Sequence, residues 1–334
     1  MSEQDKEQEF LTGGCCSRRD FLKVAGAAGV AVGLGAGVSG LLAGEASAWP
    51  GGATTTTAQQ ATTTTTTVGP PPDITLTEYN QLGLDLERHL YMRSYPIGIK
   101  LLKSEAEIPT GAIRPKKDNN ENYAMCQVFA LARRQGRTVA MFKEDHWCFE
   151  PLISYGLVPV PQSYLDGTTN RGLFKDQATG ALHAQNGKRL PEGAYPGLVV
   201  GPLKNVTFEP DLLMLYVDAH QLRHLNRIVG WPAGSQLVGH FQALGSCVRS
   251  VVDPFLDGKS CLVCPDPGEY DRAGTEPHEM IMTVPSQMLA EFMEGFYQVD
   301  TKGPQFRSWA LNMQPNFKQP SFYTTYFKEW GLIP

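Results

Sequence analysis

The feature that most constrains this chain is an N-terminal segment that cannot join a hydrophobic core. Ser17-Arg18-Arg19-Asp20-Phe21-Leu22-Lys23 sets an arginine pair among the flanking residues of a twin-arginine motif. Val24 to Ala43 follows as 20 uncharged apolar residues, six of them Gly and six Ala, and Ala46-Ser47-Ala48 is a small-x-small cleavage site. Twenty apolar residues can also span a bilayer as a retained anchor. Six glycines make this run weakly hydrophobic and a poor helix, however, so residues 1–48 read as a cleaved signal peptide. Trp49-Pro50-Gly51-Gly52, two threonine tracts (Thr54 to Thr57, Thr62 to Thr67) and Pro70-Pro71-Pro72 come next. They have almost nothing to bury and cannot offset their ordering entropy, so 49–72 reads as a flexible linker. The fold must be built from residues 73–334, 262 positions that no second linker interrupts, which predicts a single domain.

The signal names one transient partner, the twin-arginine translocase, and one destination, the periplasm or an equivalent extracytoplasmic space. Removing residues 1–48 takes away four basic and six acidic side chains, leaving 25 against 28 and a net charge of −3. Such a balanced surface lacks the basic stripe that nucleic acid requires. No second run of 18 apolar residues follows, so the mature chain is not expected to span a membrane.

Periodicity predicts alternating helices and strands. Leu82, Leu86 and Leu90 recur at spacing four in a helix over 77–92, and Ile97, Ile99 and Leu101 alternate in a strand over 97–102. A helix over 121–134 stops at Gly136, and a strand over 137–142 and a short helix over 150–155 follow. Residues 159–196, rich in Gly, Pro, Asn and Asp, read as a long irregular excursion with one helical turn. Strands are expected over 197–203 and 211–217, and Asp218 should cap a helix over 219–229. Residues 245–252 and 259–263 read as extended, residues 285–296 as helical, and the last 35 show no clear period. The class is α/β or α+β: a mixed sheet with helices on its faces, plus irregular loops.

Five cysteines remain after the signal: Cys126, Cys148, Cys247, Cys261 and Cys264. Outside the cytoplasm cysteines usually pair, and five would leave one thiol over. The export route argues the other way, because its cargo folds first in a compartment that disfavours disulfides. Four thiolates can then hold an iron–sulfur cluster or, as a second choice, zinc. Spacing does not decide: Cys261-Leu262-Val263-Cys264 is a lone CxxC with no second pair and no histidine after it. Asp145 and His146 lie beside Cys148, where they could tune a thiol or metal site. His220 and His224 share a helix face that Arg223 and Arg227 make basic and solvated, and Gln221 stands where a zinc protease needs Glu. His278-Glu279 begins a turn or strand, Arg249 reads as a surface ion pair, and Lys100 as an exposed edge charge.

Pro96-Ile97-Gly98-Ile99-Lys100-Leu101-Leu102, Met125-Cys126-Gln127 with Leu131-Ala132-Arg133, Cys148, Phe208-Glu209-Pro210-Asp211 and Ser246-Cys247 together resemble the uncharacterised family called domain of unknown function 169, over about residues 78–298. The resemblance implies cysteines at four matching places, Cys126, Cys148, Cys247 and Cys264, with Cys261 an addition. The signal, the threonine linker and the C-terminal tail depart from the family pattern. The leading expectation is an exported protein with a cofactor ligated by Cys126, Cys148, Cys247 and Cys264, with Cys261 a possible further ligand, and a redox or accessory role. The alternatives are a disulfide-stabilised ligand-binding module and a cysteine-dependent enzyme in which His146 activates Cys148.

Overall fold

Thr75 starts the first helix. Its hydroxyl accepts the Glu78 N–H at 3.3 Å while the Glu78 carboxylate accepts the Thr75 N–H at 2.8 Å, a reciprocal cap. This helix, α1 (Leu76–His89), buries Leu82 and Leu86 completely. The computed structural model describes residues 73–170, 172–299 and 321–334; the signal-peptide and linker readings of 1–48 and 49–72 lie outside them. After α1 come β1 (Ile97–Leu102), α2 (Pro115–Asn119), α3 (Met125–Gln135), β2 (Val139–Phe142), α4 (Phe149–Ser154), α5 (Gln162–Leu165) and α6 (Gln177–Asn186). Then follow β3 (Gly197–Pro202), β4 (Leu212–Val217), α7 (Ala219–Gly230), β5 (Val238–His240), α8 (Ser246–Asp257) and β6 (Cys261–Val263). The described chain ends with α9 (Pro267–Ala273), β7 (Met280–Pro285), α10 (Leu289–Gln298) and α11 (Ser321–Glu329).

The strands form one mixed sheet in the order β2-β3-β1-β4-β7-β6-β5, antiparallel except for the β5–β6 pair. That parallel pair is joined through α8, as a parallel pair requires a crossover. Strand alternation splits the core in two. Ile97, Ile99, Leu212, Met214 and Tyr216 face α3 and α8 on one side. Leu213, Leu215, Val217, Met282 and Val284 face α1, α7 and α10 on the other. The result is three layers, helix on sheet on helix, the expected α/β class.

Several expectations change. Residues 246–257 are helical, not extended. Val248, Val251 and Val252 suggest a strand by type, but Cys247, Val248, Val251 and Val252 recur at helical spacing and are all buried. Residues 280–285 are a strand, and the helix expected from 285 starts at Leu289 after a single 3₁₀ turn. The 159–196 excursion holds two helices instead of one turn. Lys100 is not on an edge: β1 pairs with β3 on one side and β4 on the other, and Lys100 is half-buried opposite Val199. Among the described residues no helix is long and apolar enough to cross a membrane.

Candidate functional site

Helix starts meet on the α3/α8 side of the sheet. At the start of α3, Gln127 Oε1 accepts the Ala124 N–H at 2.9 Å, and Cys126 is the second helical residue. Cys148 is the N-cap of α4. At α8 the N-cap is Gly245, whose φ of 80° lies in the left-handed region that a side chain disfavours, and Cys247 is again the second helical residue. Asp266 caps α9 and α8 together. Its Oδ1 accepts the Glu269 N–H at 3.2 Å, and its Oδ2 accepts the Gly245 and Ser246 N–H groups at 2.7 and 3.0 Å. Ser246 Oγ accepts the Asp266 N–H at 3.1 Å in return. One carboxylate thus fixes two helix starts against each other.

Between these starts lies a cavity of about 150 Å³ lined by Cys126, Cys148 and Cys247, with Met125, Phe149 and Leu173 among its apolar walls and Glu150, Asp266 and Arg272 among its polar ones. None of the five cysteines of the mature chain is in a disulfide. Burial, assisted by the Glu269 carboxylate, pushes the Cys126 thiol up to about 12. Burial also raises Cys148 and lifts Cys247 well above the ordinary thiol range. With no cation bound, all three are therefore neutral at physiological pH. As the side chains stand, no three His, Cys, Asp or Glu groups among the described residues are placed to hold a metal ion.

Cys264 follows β6, is half-buried and does not line the cavity. Cys261 is buried in β6 and packs in the α3/α8 core, its thiol raised to about 12 by burial and by Asp253 and Asp257. Asp145 has a structural post: fully buried, it accepts from Arg114 Nε at 3.1 Å and from the Lys116 and Phe142 N–H groups at 2.8 Å. Burial drives His146 down to about 4, so it is neutral, and neither ring nitrogen has a hydrogen-bond partner among the described residues. Its ring meets Tyr155 edge-on, and the Tyr155 hydroxyl donates to the Cys247 carbonyl at 3.0 Å.

The remaining sequence candidates lie elsewhere. His224 is buried on α7, on the opposite face of the sheet, with its ring 5.1 Å from that of His220; only Arg223 and Arg227 of that group are exposed. Arg249 is not a surface ion pair. It is 2% exposed, donates to the Lys188 carbonyl at 3.0 Å and lies 3.5 Å from Asp253. Glu279 does precede a strand, but it is buried against Arg133.

That last pair belongs to a network that sequence reasoning missed. Arg133, 1% exposed, donates to Glu279 at 3.1 Å and Thr275 at 3.1 Å and lies 3.8 Å over the Tyr216 ring. Tyr216 and Thr275 in turn donate to Glu269, at 3.1 and 2.9 Å. Burial lifts the Glu269 carboxyl to about 7. The network ties α3, β4 and α9 together next to the Cys126 thiol. Replacing Arg133 by Met roughly keeps the volume but leaves Glu279 with the Glu276 N–H at 2.8 Å and the partly exposed Arg134 at 3.4 Å. Urea unfolding of Arg133→Met should show a loss of about 3 kcal/mol, the lower end for breaking a buried pair. A loss below about 0.5 kcal/mol, the usual size of a surface change, would show the network to be energetically idle.

Comparison with known sequences adds two matches. Residues 85–295 match the profile of the domain of unknown function 169 family, described as an uncharacterised ArCR family. Residues 16–35 match the twin-arginine translocation pathway signal sequence. No curated protein and no solved structure matches the chain. The family span takes in all three cavity cysteines, Asp266, Arg272 and the Arg133 network.

Proposed function

The chain belongs to the domain of unknown function 169 family and carries a twin-arginine signal for export out of the cytoplasm, and from that premise we propose that it exports a metal–thiolate centre, an iron–sulfur cluster before zinc, bound by Cys126, Cys148 and Cys247. The observation that carries the proposal is the gathering of three thiols from three separate helix starts around one cavity. Soft thiolate donors select iron–sulfur clusters and zinc over hard cations.

Three further points support this reading over its rivals. Burial holds each thiol in its unreactive protonated form, and the neutral His146 offers Cys148 no imidazolium partner, which speaks against a thiolate nucleophile. A bound cation reverses that balance, because a coordinating thiol loses its proton outright. The first turn of α3 presents backbone N–H groups with no intrahelical acceptor, and these favour the negative charge of a metal–thiolate assembly. As the side chains stand the three thiols line one cavity without converging on a single ion, and Cys126, Cys148 and Cys247 are the residues that would hold the centre. When bound, such a centre would supply electron transfer. The residues of the chain would hold it and keep it dry: Asp266 locks the α8 and α9 starts, and Tyr155 ties the Cys247 backbone to the core. Cys264, which the family resemblance implies as a fourth position, lies outside the lining and is not assigned a place here.

The test is an anaerobic visible spectrum of the purified mature protein, with iron and zinc analysis on the same sample. The expected result is a broad charge-transfer absorption with iron in excess of zinc. A colourless, metal-free protein with five titratable thiols would overturn the proposal.

A further inference from the structure

The mouth of the cavity carries a charge beside the thiols: Arg272 lines it and is hydrogen-bonded to Cys126. Arg272 sits on α9 and its guanidinium lies back over Gly268, near the start of its own helix. A Cβ at position 268 would come within 2.4 Å of Nη2, so only glycine leaves the guanidinium this place. Among the described residues no carboxylate lies within 4 Å of Arg272; its hydrogen bond is to the Cys126 thiol, and the Asp266 carboxylate is the nearest charge acting on it. The neighbouring Asp266 carboxylate is already engaged by three backbone N–H groups.

Apolar surface surrounds that charge. Trp147 is 64% exposed with its ring centroid 5.7 Å from the guanidinium carbon, Leu173 is 56% exposed and Phe149 37%. The last two line the cavity. Apolar side chains grouped around a charge at a pocket mouth are the kind of surface a ligand can cover.

We propose that the mouth binds a small organic monocarboxylate, its carboxylate paired with Arg272 and its apolar body laid against Trp147, Phe149 and Leu173. An inorganic anion would satisfy the guanidinium and leave the rim bare, and a neutral apolar molecule would do the reverse. Arg is suited to the task because its planar fork can take both carboxylate oxygens.

Benzoate is a suitable probe, titrated into the mature protein and followed by tryptophan fluorescence and by calorimetry, with benzamide as its neutral counterpart and sulfate as an anion without an apolar body. Benzoate should bind saturably. Benzamide should bind about 10- to 100-fold more weakly, and Arg272→Gln should lower benzoate affinity by a similar factor, the range for losing a hydrogen bond to a charged group. Leu173→Ser should weaken benzoate several-fold, and Trp147→Phe should abolish the fluorescence change while the calorimetric signal persists. Arg272, Leu173 and Trp147 are exposed, so circular dichroism should show the variants folded. Absence of saturable binding, equal affinity for benzamide, indifference to Arg272→Gln or full competition by sulfate would each overturn the proposal. The visible spectrum of the same samples reports separately on the metal centre, so failure of one reading is not mistaken for failure of the other.

Discussion

A chain carrying Arg18→Lys together with Arg19→Lys should remain almost wholly in the cytoplasm as uncleaved precursor. The substitution leaves the formal charge of the N-terminal segment unchanged, so a pathway that reads only positive charge would not notice it. Lys presents a compact ammonium and cannot reproduce the planar five-donor fork of Arg. The twin-arginine machinery is named for that pair, and the match over residues 16–35 contains both arginines. Cell fractionation and immunoblotting, which separate precursor from mature chain by size, measure the outcome. Export of the double variant at the wild-type rate would show that another route carries this protein, and would remove the argument that its cysteines meet a cofactor before translocation.

Local signals made much of the fold legible. β1 falls where alternation placed it, and α7 begins at Asp218, whose carboxylate accepts the Gln221 N–H at 2.9 Å. α3 stops at Gly136, which takes the left-handed conformation at φ 67°. The misplaced element is also the most informative one. α8 is rich in β-branched residues, and its cap is contributed by Asp266, 20 residues beyond Ser246. A non-local cap leaves no mark in a local window.

The same limit governs the site. The residue type was visible, because five cysteines in an exported chain demand explanation. Spacing did not bring the cysteines together, because that depends on which helices begin on the same side of the sheet; the family resemblance grouped Cys126, Cys148 and Cys247 with Cys264, which lies outside the cavity lining. Arg249 was read at the surface, and Arg133 was not singled out, for a related reason: only the packed structure supplies the acceptors that make their burial tolerable. Arg272 carried no signal at all, since its significance lies in having no carboxylate beside it.

Serine substitution of the cavity cysteines should separate ligands from bystanders. Cys126→Ser, Cys148→Ser and Cys247→Ser should each lose most of the iron and of the visible absorption, because a neutral hydroxyl is a poor donor to a soft metal. Each change also buries a hydroxyl, which costs about 1–3 kcal/mol if it finds no partner, so loss of the centre alone would not prove ligation. Cys261→Ser supplies the control. Cys261 is 2% exposed against 4% for Cys126, and both pack in the same core, so the burial penalties are matched while only Cys126 reaches the cavity. Cys261→Ser should therefore keep its iron, and should match Cys126→Ser in denaturation midpoint once a chelator has stripped both of metal. Cys264→Ser sets the family resemblance against the cavity: the lining predicts retention of the centre, whereas a fourth ligand at Cys264 predicts its loss. Equal iron content in the Cys126 and Cys261 variants would place the centre, if there is one, away from the three-thiol cavity.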